Sequence, residues 1–291
     1  MNGVAAAVLS SALGGSAGAM TRYLIGASDP MTLAAYRFGI GFLLVFPLAM
    51  VLRSSFPKGK DGLWVALLGV LFFSIFFVFY NLALSFTTAA RGSLALSCLP
   101  LTTMLMALLF KKEQFTARKI SGIFIAIGGV AIALWTGLAD APPDAWRGDL
   151  IMAGATVCMA LYNVWSRPLM LRSSMLGFLA LGMGFGAAAS VSYAIGSGGL
   201  LHSFVSFSQG QWVAAICLGV FGGAAAFYLW VYALERTTPT RVANTMTVNP
   251  IAASLLAAAL VGEPLGWNLL LGIGGVAVGI WLASTDAVKS S

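Results

Sequence analysis

The sequence predicts an all-α polytopic membrane protein, with ten transmembrane helices arranged as two inverted five-helix repeats. Three observations carry that expectation. The chain of 291 residues is 59% hydrophobic and 9% charged, with a mean hydropathy of +0.93. Soluble domains carry about 25% charged residues. A soluble core cannot hide this much apolar surface, so the main solvent is lipid. Apolar windows of about 20 residues, enough to cross a bilayer, recur along the whole chain. Finally, the chain repeats itself. ALSFTTAARGSLALSCLPL at residues 83–101 returns as ALERTTPTRVANTMTVNPI at residues 233–251, with Ala-Leu, Thr-Thr, Arg and Pro in register at a shift of 150.

The spans follow in order. The first, 4–26, has a start that looks slightly like a secretion signal. It lacks Lys or Arg ahead of the apolar run, and the run continues to about residue 26, so it reads as a retained helix. Its Gly14 and Gly18 form a small-xxx-small pair expected to pack helices. Ser16 and Met20 are its polar and thioether candidates. The second span, 31–52, holds Arg37, the one basic residue clearly inside a span. It stands about two turns from the outer end by helix rise. It is expected to snorkel to the interface, with contact to a substrate carboxylate as the lesser alternative.

The third span, 63–84, contributes Phe77, Tyr80 and Asn81. The fourth, 88–110, has Ser93 and Ser97 four residues apart, on one face with Pro100. The fifth, 115–136, is introduced by Glu113, whose charge complements a helix start. The sixth, 149–170, offers Tyr162 and Asn163. The seventh, 175–197, is enriched in glycine at 182, 184 and 186. The eighth, 211–234, carries Phe227 and Trp230, which match Phe77 and Tyr80 at the shift of 150. The ninth, 239–261, brings Asn244 and Thr247 ahead of Pro250. The tenth, 266–284, follows Glu263. The longest connections, near 137–148 and 198–210, are too short for a soluble domain.

The register extends beyond the quoted stretch. Glu113 matches Glu263, Gly122 matches Gly272 and Gly129 matches Gly279. Earlier, at a shift of 145, Arg22 pairs with Arg167, Gly39 with Gly184 and Gly41 with Gly186. This reads as duplication: a first repeat over 1–136, an extracytoplasmic connector over 137–148 and a second repeat over 149–291. Five spans per half is an odd number, so the copies must face opposite ways. A cytoplasmic amino terminus collects Arg53, Lys58, Lys60, Lys111, Lys112, Arg118, Lys119, Arg167, Arg172, Arg236, Arg241 and Lys289 on the inner side. Only Arg22, Arg91 and Arg147 then fall outside. That bias places both termini in the cytoplasm.

Charge and chemistry exclude several classes. The formal charge of +7 is scattered through short connections, so it is a topology signal and nucleic acid is not an expected partner. Cys98, Cys158 and Cys217 lie in apolar runs and His202 in a polar connection, so neither a disulfide framework nor a metal site is expected. Asp29, Asp61, Glu113, Asp140, Asp144, Asp149, Glu235, Glu263 and Asp286 all map to span ends or loops. A dedicated cation extruder or a carboxylate relay usually keeps an acid within the membrane. An intramembrane enzyme needs a nucleophile with a base, or a metal. No such cluster is present, so no catalytic residue and no cofactor are expected.

The uncharged polar and aromatic residues within spans are the candidate site. Phe77, Tyr80, Asn81, Ser93, Ser97, Tyr162, Asn163, Phe227, Trp230, Asn244 and Thr247 are expected around a central cavity, with interhelical bonding or interfacial anchoring as the plainer alternatives. Pro100 and Pro250 each free a carbonyl four residues earlier, at Leu96 and Met246. Their mirrored placement makes them candidate hinges beside that cavity.

Each half carries ALxxTT, a mid-helix proline, a glutamate opening the last helix and glycines seven apart. This pattern resembles the drug/metabolite transporter superfamily, EamA type, over nearly the whole chain. VGEPLGWNLLLGIGGVAVGI is especially similar to the family pattern. The first half departs from it with Lys112-Glu113 where Gly-Glu is usual, which affects a helix start. Within the superfamily the chain is most similar to bacterial inner-membrane exporters of aromatic and other amino acids. The resemblance implies outward transport of small metabolites by alternating access. The missing intramembrane carboxylate points to flux down the substrate gradient. A multidrug exporter of lipophilic compounds is the alternative. The oligomeric state stays open and is compatible with a monomer.

Overall fold

The computed structural model describes residues 2–25, 27–84, 86–87, 89–113, 116–135, 144–261 and 267–284. Asp140, Glu263, Asp286 and Lys289 lie outside the described residues, as do the side chains of Arg22, Arg91 and Ser93. The described chain is all-helical, without a strand among those residues. The helices are α1 (Gly3–Ile25), α2 (Pro30–Val51), α3 (Gly59–Val70), α4 (Phe77–Leu84), α5 (Ala89–Ser97), α6 (Leu99–Leu109), α7 (Ala117–Ala133) and α8 (Ala145–Met170). They continue with α9 (Met175–Gly196), α10 (Gly199–Ser206), α11 (Gln209–Cys217), α12 (Ala226–Arg236), α13 (Pro239–Asn244), α14 (Val248–Val261) and α15 (Trp267–Ser284).

Four helical rods among the described residues, Pro30–Val51, Gly59–Ala83, Met175–Gly196 and Gln209–Arg236, are long and apolar enough to cross a membrane. Side chains facing outward, such as Leu43, Trp64, Leu109 and Phe185, are exposed and apolar. This is the architecture of a polytopic membrane protein.

Local chemistry explains the ends. Asp29 accepts from the amides of Met31 and Thr32 at 3.0 Å each, and Pro30 opens α2 where its missing N–H is not needed. Thr116 and Ser174 cap α7 and α9 in the same way. Ser208 and Gln211 form a reciprocal capping box on α11.

The rods are interrupted at special places. α3 runs into α4 through a π-helical segment, Leu71–Phe76, and α11 into α12 through another, Leu218–Ala225. Proline was expected inside a continuous span in both repeats. Instead each proline sits in the first turn of a new helix. α5 ends at Ser97, Cys98 turns, and Pro100 is the second residue of α6. α13 ends at Asn244, a 3₁₀ turn spans Thr245–Thr247, and Pro250 is the third residue of α14. The first turn has no i−4 carbonyl awaiting its N–H, so the ring is accommodated there and the helix restarts. Residues 198–210, expected to be a plain connection, contain the short α10. It exposes Leu201, Phe204 and Val205 and buries Ser203, whose hydroxyl pairs with Tyr36 at 2.9 Å. The helix expected from 149 starts at Ala145.

Glycine lets the helices approach closely. The most extensive packing joins α7 to α15. A Cβ on Gly122 would lie 2.7 Å from the Gly279 carbonyl oxygen, and one on Gly272 would lie 2.7 Å from that of Gly129. No larger residue fits there without moving a backbone. α2 packs on α9 and on the segment Leu218–Ala225, while α9 packs on α3 and on Leu71–Phe76. α1 packs on α12 and α14, while α8 packs on α4 and α6. Phe38, Phe72, Phe73, Tyr162, Phe178 and Trp230 fill the centre.

Candidate functional site

A cavity of about 500 Å³ lies at the middle of the helices. That is within the usual range for small-molecule pockets, roughly 300–1,000 Å³. α1 supplies a small-residue wall of Ser10, Ser11, Gly14, Gly15 and Gly18. The opposite wall is aromatic: Phe72, Phe76, Phe77 and Tyr80 from the π segment and α4, with Phe227 and Trp230 from α12. Asn249, Pro250 and Ala253 of α14 complete it.

Among the described residues, the lining extends to residues near one set of helix ends and not to those near the other. Thr21, Pro30 and Asn81 line its mouth, at the end of α1, the start of α2 and the end of α4. Asn81 Nδ2 donates to the Pro30 carbonyl at 3.4 Å there. At the inner end the groups pair with one another. Ser11 and Thr245 hydroxyls meet at 3.0 Å, and Ser10 Oγ donates to the Ala226 carbonyl at 2.6 Å. Trp230 Nε1 donates to Asn163 Oδ1 at 3.0 Å.

Further towards that end a buried ion pair seals the packing. Lys119 binds Glu113, and both side chains are almost inaccessible. Glu113 Oε1 also accepts from the Thr240 amide at 2.9 Å, and Lys119 Nζ reaches Thr238 Oγ1 at 3.4 Å. These contacts join the start of α7 to the second copy of the Thr-Thr motif, Thr237-Thr238, and the residues after it. Gly3, near the amino terminus, packs at the same end against Arg236 and Thr237.

The expected site residues separate into groups. Phe77, Tyr80, Asn81, Phe227 and Trp230 line the cavity, as does Pro250. Tyr162 and Asn163 stand behind the wall. The Tyr162 ring stacks on Phe72 at 4.4 Å between centroids, and Asn163 holds Trp230. Asn244 and Thr247 are buried away from the lining. Asn244 Nδ2 donates to the Gly279 carbonyl at 3.5 Å, and Thr247 Oγ1 to the Asn244 carbonyl at 2.7 Å. Ser97 and Pro100 are buried outside the lining too. The Ser93 side chain lies outside the described residues. Ser16 bonds back to the Ala12 carbonyl at 3.2 Å, and Met20 packs in a cluster with Leu24 and Trp212.

Two sequence readings need correction. Arg37 does not snorkel. Its guanidinium turns into the cavity, with its carbon 5.1 Å from the Phe77 ring centre, 5.5 Å from Phe38 and 5.7 Å from Phe227. Nε donates to the Gly222 carbonyl at 2.9 Å. The physical reason is local. Gly222 has no side chain, so its carbonyl in the π segment stays open to the arginine. The aromatic faces then supply a second, electrostatic attraction. Gly14 and Gly18, expected to pack, do different things. A Cβ on Gly14 would meet Asn249 Oδ1 at 2.9 Å, whereas Gly18 faces open space.

Sequence reasoning also missed Ser10, Ser11, Phe72, Phe76 and Asn249. Ser11, Gly14, Gly15 and Gly18 follow the i, i+3, i+4, i+7 spacing of one helix face, a signal that was present to be found.

The EamA-like transporter family model matches two segments, residues 1–135 and 146–285. This chain belongs to the EamA-like transporter family. Among similar relatives is an uncharacterized transporter of Archaeoglobus fulgidus, 25% identical over 90% of this chain and 91% of its own. The uncharacterized transporter YyaM of Bacillus subtilis is 23% identical over 91% of this chain and 88% of its own. A probable terminal-alkyne amino-acid exporter of Streptantibioticus cattleyicolor is 27% identical over 71% and 68%. A solved crystal structure matches with a TM-score of 0.79 at 20% identity, over 97% of this chain and 95% of its own, and shows a shared fold. As an EamA protein the chain is a multi-pass membrane transporter and not an enzyme. Its partners are a small-molecule substrate and membrane lipid.

Proposed function

We propose that this transporter exports small metabolites, amino acids with aromatic and other neutral side chains, across the bacterial inner membrane by alternating access. The observation that carries the reading is the central cavity, aromatic on one wall and dotted with polar groups, whose lining among the described residues extends towards one end of the helices. Aromatic faces accept side chains of many shapes. A few amides and hydroxyls orient the polar end. Asn249 brings a side-chain amide to the cavity wall. The amino-acid exporter among the relatives supports the same substrate class.

Ten spans in two inverted repeats account for the packing. Gly122 meets Gly279, and their repeat partners, Gly272 and Gly129, meet in the same way. α1 sits on α12 and α14 as α8 sits on α4 and α6. Reciprocal contacts of this kind arise when two halves are related by a twofold axis. The Lys/Arg bias then makes the sealed end cytoplasmic and the mouth external, with both termini inside. In the opposite state the second half's counterparts open, with Pro100 and Pro250 as the hinges.

Purified protein in proteoliposomes, given a panel of labelled amino acids with a cationic dye and a phosphosugar as controls, tests the reading. Counterflow of neutral amino acids is expected. Movement of the dye or phosphosugar alone would overturn it. A pH jump that itself drives accumulation would overturn flux down the substrate gradient.

A further inference from the structure

Arg37 is the single charged residue lining the cavity among the described residues. Only its Nε has a hydrogen-bond partner among the described residues, the Gly222 carbonyl. No acidic side chain lies within ion-pair distance of it among those residues. Its other neighbours include the faces of Phe38, Phe77 and Phe227 and the Tyr80 side chain. The residue remains partly accessible from the cavity. A positive charge held away from bulk water with no counter-charge is strongly unfavourable unless something supplies one. The rings soften that penalty but do not cancel the charge.

With Nε anchored to the backbone, the guanidinium plane is held and its terminal nitrogens remain to donate. A planar fork of donors matches a planar pair of acceptor oxygens. We propose that Arg37 is the substrate-recognition residue for a carboxylate, and that the ligand is an organic monocarboxylate with an apolar or aromatic tail. One cation balances one carboxylate. A phosphate dianion would leave a charge uncompensated in the same cavity, since no second cation lines it among the described residues. The tail lies against Phe72, Phe76 and Trp230, deeper in the cavity. The proposal rests on the transport reading above and names the group by which that site selects its substrate.

The test is equilibrium binding of three labelled probes of similar shape to the full chain in neutral detergent. The probes are 3-phenylpropionate, phenylalanine and 2-phenylethylamine. The wild-type protein is expected to bind both carboxylates at least tenfold more tightly than the amine. Arg37→Gln should weaken both carboxylates at least tenfold and leave the amine within twofold. Arg37→Lys, which keeps charge but not the fork, should fall between them, and it stands in if the glutamine variant does not elute as a single species. Wild-type carboxylate binding no tighter than amine binding would overturn the proposal. Undiminished carboxylate binding by Arg37→Gln, or equal loss of all three probes, would do so too. Binding without flux in proteoliposomes would defeat the transport reading and leave this one standing. Flux of neutral amino acids that Arg37→Gln leaves undiminished would do the reverse.

Discussion

The indole Nε1 of Trp230 donates a 3.0 Å hydrogen bond to Asn163 Oδ1, and so fixes the inner end of the cavity to the helix behind it. Both residues are buried, and the Asn163 Nδ2 has no hydrogen-bond partner among the described residues. The bond joins α12 to α8.

Trp230→Phe keeps the aromatic face and removes the donor. It leaves Asn163 unsatisfied in the core, at a cost of about 1–3 kcal/mol. A lower thermal midpoint and a weaker bound state are expected. Asn163→Leu, which removes the orphan as well, should restore part of the stability when combined with Trp230→Phe. A double-mutant cycle by thermal unfolding reads the coupling; zero coupling would show that the bond does no structural work.

The Glu113–Lys119 pair makes a second prediction. Removing one partner of a buried pair costs about 3–5 kcal/mol, because the other charge is left unpaired. Glu113→Gln also weakens the acceptor for the Thr240 amide. Each single variant, Glu113→Gln or Lys119→Met, should therefore be less stable than the double variant. Stability in detergent against temperature measures this. If the seal belongs to one access state, the single variants should also shift binding towards ligand offered from the side of the Glu113–Lys119 pair.

Two adjacent faces of α1 should respond oppositely. A Cβ on Gly18 meets nothing within 4 Å, while one on Gly15 would lie 3.1 Å from the Ala252 Cβ and closer still to the α14 backbone. Gly18→Leu should fold and remain stable, yet fill the cavity and abolish ligand binding. Gly15→Leu should destabilise the protein by about 1–3 kcal/mol or more by overpacking. Thermal midpoints and probe binding, measured side by side, separate the two.

The α7–α15 contact predicts matched effects in the two halves. Gly122→Val and Gly272→Val insert a side chain into equivalent backbone approaches. Equal losses of stability are expected from both, with no change in ligand affinity of the folded fraction, since neither lines the cavity. Unequal losses would argue against a twofold relation.

Much of the site was legible as residue type. Phe77 and Phe227, and Tyr80 and Trp230, stood out because the repeat placed aromatic residues at matching positions, and all four line the cavity. Pro100 and Pro250 were equally visible, yet only Pro250 lines it. Asn163 was visible as a buried amide, but its role depends on Trp230 from a distant part of the chain. Arg37 was judged from its depth in one helix. Its direction was decided by Gly222, 185 residues away.

Composition and periodicity by themselves determined that the chain is helical and apolar, and the shift of 150 linked the residues of its two halves. Those properties depend on each stretch of chain and its solvent. Which member of each pair meets the cavity, where Arg37 points and which end is sealed were decided only by tertiary packing. The reason is that matching residues carry the same local pattern, while a one-sided opening places them in different surroundings. Contacts such as Trp230 with Asn163 and Glu113 with Thr240 distinguish the two ends.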